Sequence, residues 1–231
     1  LECKKTVICG GTRLNMNILA TVPCLSVFLG DRHYLHSTTI VKALVDACAN
    51  AFDCGKVQQM SAQFHALTDR QCVFDRLQME PGESLTGAGY VATFKTQTGQ
   101  GSQVFGLRPL IEGISETRPF DEDGLANAAV LNVDDQRIGL VGVNGELLPA
   151  VVALNKRLHA ALFSPAGYSK WLLTRLDLNN ACFELSRVDD ICLQIVSVLA
   201  SVSTKATITV NSSVGGVIVG SVHFSRKKEA T

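Results

Sequence analysis

DRHYLHSTTIVKALVDACANAFDCG, residues 31–55, holds the clearest amphipathic helix of the chain. Ile40, Val41, Leu44, Val45, Cys48 and Phe52 recur at spacings of three and four, which lines them along one helical face. Lys42, Asp46 and Asn50 fall on the other face. Ser37 or Thr38 can accept a hydrogen bond from the first free backbone N–H groups. Gly55 can take the left-handed conformation that ends a helix. The pattern predicts a core-packing helix preceded by a polar loop.

That loop gathers one carboxylate and two imidazoles: Asp31, His33 and His36. Neutral imidazole and carboxylate suit zinc, iron or manganese, so these three are the candidate metal ligands. Histidine titrates near neutral pH, which makes His33 and His36 the candidate catalytic groups for acid–base work, with His65 as a further member. All three loop residues precede the helix, so the one-face geometry that makes a helical His-Glu-x-x-His pattern informative is absent. The plainer reading is loop and capping residues.

Other motifs point to no cofactor. Gly10-Gly11-Thr12 lacks the spacing of a dinucleotide-binding turn, and GESLTGAG at 82–89 lacks the Gly-Lys-Ser/Thr ending of a phosphate loop. Asp121, Glu122 and Asp123 lack the alternating ligands of a calcium loop. The eight cysteines form no Cys-x-x-Cys pair, and reduced, buried thiols are expected.

Hydrophobic residues make up 46% of the 231 and charged residues 18%, below the roughly 25% usual for soluble domains. Lys+Arg and Asp+Glu are equal at 21 each. A zero net charge gives no broad field for nucleic acid, which is not expected as a partner. It also does little to oppose self-association. No run reaches the ~18 apolar residues of a spanning helix. The opening residues lack the basic-then-apolar pattern of a signal peptide. No membrane association is expected, and an intracellular location is.

In chain order, residues 17–29 read as a buried strand interrupted at Pro23. Residues 56–67 fit a helix or a strand. Residues 71–80 read as a strand with Val73, Leu77 and Met79 on one side and Asp75 opposite. Residues 90–98 and 102–110 make a hairpin about Gly99-Gln100-Gly101. The acidic stretch 112–127 is a surface loop, a subdomain boundary within one domain spanning 1–231. Residues 128–133 and 137–143 make a second hairpin, and 147–163 a second helix in which His159 reads as a core histidine. Residues 168–178, with the only tryptophan, Trp171, read as a packing segment and 182–185 as a short strand. A third helix is expected from Val188 to Val202 on Ile191, Ile195, Val198 and Leu199, capped through Ser186 and Asp189. Residues 206–210 and 217–224 make a third hairpin, and 226–231 a frayed polar tail. No repeat of fixed period stands out.

Three hairpins and three helices predict an α+β fold: antiparallel sheet built from hairpins with amphipathic helices packed against it. Low charge, high apolar content and the lack of a convincing catalytic constellation predict a structural or interaction subunit of an assembly. On that expectation the chain is shell- or capsid-like and pairs with copies of itself or with other protein subunits. The alternative is a small intracellular metal-dependent or acid–base enzyme using Asp31, His33 and His36.

Overall fold

The structure is a computed structural model describing residues 3–9, 12–79, 85, 88–142, 147–163, 168–184, 188–200, 202–211 and 215–228. The chain divides into two compact units, Leu1–Pro119 and Phe120–Thr231.

The first unit opens with a hairpin, β1 (Cys3–Cys9) and β2 (Thr12–Cys24), and a short β3 (Phe28–Leu29). Helix α1 (Ser37–Asn50) follows, then β4 (Val57–Phe64), β5 (Arg70–Gln78), β6 (Ala92–Thr98), β7 (Gly101–Gly113) and β8 (Thr117–Arg118). The sheet order is β1-β2-β5-β7-β6-β4, antiparallel throughout. Ile40, Val41, Leu44 and Cys48 of α1 are buried, as the spacing predicts; Ala47 is buried as well, while Val45 is only half-buried. Burying each of the larger ones contributes about 1.5–3 kcal/mol. Just past the helix, Phe52 packs on Phe105 with ring centroids 5.0 Å apart. Gly55 does adopt a positive φ, of 76°, but four residues beyond the cap at Ala51.

The second unit contains α2 (Glu122–Asn127), β9 (Val130–Asn132), β10 (Arg137–Val141), α3 (Leu147–Leu162), β11 (Tyr168–Leu178), α4 (Asn180–Glu184), β12 (Asp190–Leu199), β13 (Ser203–Val210) and β14 (Val217–Lys228). Its strand order is β9-β10-β12-β13-β14-β11, again antiparallel. Helix α3 packs against β10, β12 and β11 and buries Ala150, Val151, Val152, Ala153, Leu154, Asn155, Leu158 and His159. The α+β expectation holds in both units.

The units share a plan that no sequence repeat announces. Each has a hairpin, a long central helix and four strands, and the second strand after the helix pairs with the second strand of the hairpin. They differ in the last two strands: β6 lies between β4 and β7, whereas β14 lies between β11 and β13.

Several segments depart from expectation. Residues 190–199 form a strand, β12, not a third helix. Ile191, Leu193 and Ile195 alternate inward, and β-branched side chains suit the pleated surface between β10 and β13 better than a helix. Cys182 lies in the short helix α4 rather than a strand. Arg226, expected in a frayed tail, lies in β14, which pairs with β11 as far as Lys228. Ser186 of the expected cap lies outside the described residues.

Asp75 does not lie opposite Val73 and Leu77 as expected. Alternation puts it with Val73 and Leu77, and it is 0% exposed. Arg108 grips it twice, Nε to Oδ2 at 2.7 Å and Nη2 to Oδ1 at 3.0 Å. Thr21 donates to Oδ1 at 2.7 Å and the Tyr90 hydroxyl to Oδ2 at 3.4 Å. Burial and the neighbouring carboxylate push the Tyr90 phenol up, so it stays a donor. The Tyr90 ring lies over Gly106, where a Cβ would come within 2.4 Å of it, so only glycine fits.

Among the described residues no helix is long and apolar enough to cross a membrane. Six cysteines, at 24, 48, 54, 72, 182 and 192, are free, and all but Cys182 are buried.

Candidate active site in the second unit

The loop ahead of α1 does not assemble the expected ligand set. Asp31 and His33 are exposed and His36 is buried. The His36 Nδ1 is 2.7 Å from the Thr38 hydroxyl, and the His36 carbonyl accepts the Ile40 N–H at the first turn. His33 stands edge-on to Phe28, ring centroids 6.5 Å apart. His65 pairs with the Thr93 hydroxyl at 3.0 Å. Among the described residues, no group of three His, Cys, Asp or Glu side chains is placed to hold a metal.

A polar group of a different kind lies in the core of the second unit. Asn155 and His159 are one turn apart on α3, so both project from the same face. Both are 0% exposed, and Thr204, at the start of β13, is 3% exposed. The His159 Nδ1 lies 2.7 Å from the Asn155 carbonyl oxygen and Nε2 lies 2.6 Å from the Thr204 Oγ1. A carbonyl only accepts, so Nδ1 carries the proton and Nε2 receives the hydrogen bond of the threonine hydroxyl. Burial pulls the His159 pKa down to about 4 from 6.5, aided by the nearby Arg226 charge and opposed by the Asn155 carbonyl. The ring is therefore neutral at pH 7, with its free lone pair on the hydroxyl.

The Asn155 side-chain amide also meets this ring, Nδ2 at 2.9 Å from Nδ1, while Oδ1 has no partner among the described residues. A nitrogen already carrying a proton cannot accept another. Turning the carboxamide over puts its oxygen on the Nδ1–H, and the choice of O or N follows from the hydrogen bonding. So turned, the carboxamide oxygen accepts from the Nδ1–H beside the backbone carbonyl and helps to fix that tautomer.

Aromatic rings enclose the histidine. Trp171 on β11 is closest, centroid 4.3 Å away, with Phe163 at 5.5 Å and Phe224 at 5.6 Å. Outside them the Arg226 guanidinium lies 4.8 Å from the Trp171 ring centroid and 5.6 Å from that of Phe163. The arrangement is a neutral base, a hydroxyl held on it and an apolar surround, the elements of nucleophilic acyl transfer.

No protein-family model matches the chain, and no curated protein matches it in sequence. Solved structures do match in shape. The tesB protein of Mycobacterium avium subspecies paratuberculosis superposes with a TM-score of 0.50 at 11% identity, over 87% of this chain and 91% of that one. The chain shares the fold of that tesB protein. The dehydratase domain of PpsC from Mycobacterium tuberculosis gives 0.48 at 7% identity, over 97% and 98% of the two chains. A candidate thioesterase II from Thermobifida fusca YX gives 0.47 at 9% identity, over 93% of each. These last two likenesses are weaker and add nothing to the first.

This similarity overturns the expectation of a non-catalytic, shell- or capsid-like assembly subunit. The solved structure whose fold the chain shares carries the name of a tesB protein, not of a shell or capsid. The physical reason for the misreading lies in composition. Much of the high apolar content goes into two helix-on-sheet cores in one chain.

His159 is a core histidine, as its apolar neighbours lead one to expect, but nothing near it in sequence points to Thr204. The i, i+4 spacing of Asn155 and His159 was visible, but Thr204 follows a segment expected to be helical, which hid its place on β13.

Proposed function

We propose that the chain is an enzyme that transfers the acyl group of a thioester, with Thr204 as nucleophile and His159 as its base. The observation that carries this reading is the 2.6 Å contact between Thr204 Oγ1 and His159 Nε2, with Nδ1 held by a backbone carbonyl. Thr204 Oγ1 bonds to the acyl carbon as its proton passes to Nε2. The C–S bond then breaks, the thiolate takes that proton, and water releases the acyl group by the reverse roles.

The leaving group follows from what surrounds the base. Among the described residues that contact His159, none is a second acid poised to protonate a departing alkoxide or amine. A thiol, whose pKa is about 8.5, leaves with least help. The apolar rings around His159 suit the acyl portion.

Steady-state hydrolysis of acyl-CoA esters of graded chain length tests the reading. Thr204→Val and His159→Gln each lower kcat roughly 100-fold while the circular dichroism spectrum is retained. Absence of turnover by the wild type at every chain length would sink the reading. The earlier expectation for His33 and His36 enters as a further arm. If His33→Ala and His36→Ala abolish turnover while Thr204→Val does not, acid–base work belongs to the loop before α1 instead.

A further inference from the structure

An acyl donor has no open route to a histidine that is 0% exposed and a threonine that is 3% exposed. Of the three aromatic rings around His159, Phe224 is buried, whereas Phe163, just past α3, and Trp171 on β11 are partly exposed. Trp171 and Arg226 face each other directly across the β11–β14 pairing. Arg226 lies over both rings, and the two rings touch, centroids 5.2 Å apart.

From this geometry we infer that Trp171 is a gate over the His159–Thr204 pair and that Arg226 latches it. The inference rests on the proposed thioester reading, and it assigns to Trp171 a control of access rather than a chemical step. The closed state is held by contacts among side chains on three elements, α3, β11 and β14. Swinging the indole away opens the shortest way to the imidazole, because Trp171 is the nearer of the two partly exposed rings around His159. The guanidinium favours the closed state through the faces of the two rings. An apolar acyl group replaces the indole against Phe163, so the opened state is stabilised by the substrate that needs it.

Trp171 is the only tryptophan, so its fluorescence reports the gate without a label. The experiment measures acrylamide quenching of the wild type with and without a non-hydrolysable thioether analogue of an acyl-CoA, with binding followed by calorimetry in the same samples. Quenching rises as the analogue saturates the protein. Arg226→Leu raises quenching in the absence of the analogue and moves the gate toward open by roughly 3- to 10-fold, while Arg226→Lys restores part of the closed state. Trp171→Ala lowers KM more than it changes kcat, a split that loss of packing alone would not produce. Calorimetric binding with unchanged quenching overturns the gate and leaves the thioester reading standing. Neither binding nor turnover overturns both.

Discussion

Arg108→Leu destabilises the first unit by about 3–5 kcal/mol, the largest effect expected of any single substitution away from the apolar core. Asp75 has no exposure at all, and both of its oxygens are gripped by the Arg108 guanidinium. Removing the arginine leaves a buried carboxylate with only the Thr21 and Tyr90 hydroxyls for company. Hydroxyl donors satisfy lone pairs but do not offset a full charge. The double variant Asp75→Leu with Arg108→Leu is expected to be milder than Arg108→Leu alone, because no unpaired charge remains. Urea denaturation of the two singles and the double gives the coupling directly. Equal losses from Arg108→Leu and the double variant would show that lost packing, not the stranded charge, sets the cost.

Acid weakens the second unit through His159. Its pKa is about 4 in the fold against 6.5 for the free side chain. Between those values the unfolded chain binds a proton that the native state excludes, so stability rises with pH across this window. The contribution is complete above pH 6.5 and is lost as pH falls toward 4, amounting to roughly 3 kcal/mol when fully lost. His223 is also lowered by burial and acts with the same sign, so the wild type alone does not isolate His159. The comparison with His159→Gln does. Denaturation followed by Trp171 fluorescence between pH 4 and 7 shows a steeper fall for the wild type than for the variant. Parallel curves would mean that His159 is not held neutral by the fold.

Much of the architecture is legible in residue patterns. The face of α1 is readable from Ile40, Val41, Leu44 and Cys48 because helical period and burial coincide there. The hairpin at Gly99-Gln100-Gly101 is readable because turn residues sit between alternating strands, and the register closes at Thr98 and Gly101. The segment 190–199 misleads for a physical reason. Ile191, Ile195, Val198 and Leu199 satisfy a helical period of three and four, while Ile191, Leu193 and Ile195 satisfy a strand period of two. Tertiary pairing with β10 and β13 decides between them, and sequence spacing does not contain it. The duplicated plan is likewise invisible, because it resides in strand order and not in repeated residues.

The candidate site was harder to read than the fold. Asp31, His33 and His36 drew attention by density, yet the chain does not bring the three together, and His36 spends its Nδ1 on Thr38. The group that does assemble joins a helix to a strand 45 positions away, from His159 to Thr204. Only the antiparallel path β11-β14-β13 beneath α3 creates that proximity. Arg226, expected in a frayed tail, belongs to the same neighbourhood because β14 runs beside β11 to its end.

The most direct test of the proposed chemistry is intact-protein mass spectrometry after brief mixing with an acyl-CoA, followed by peptide mapping. A single acyl adduct on Thr204, absent in Thr204→Val and in His159→Gln, is the predicted result. Turnover by the wild type with no adduct on Thr204 at any time point, and undiminished turnover by Thr204→Val, would contradict it.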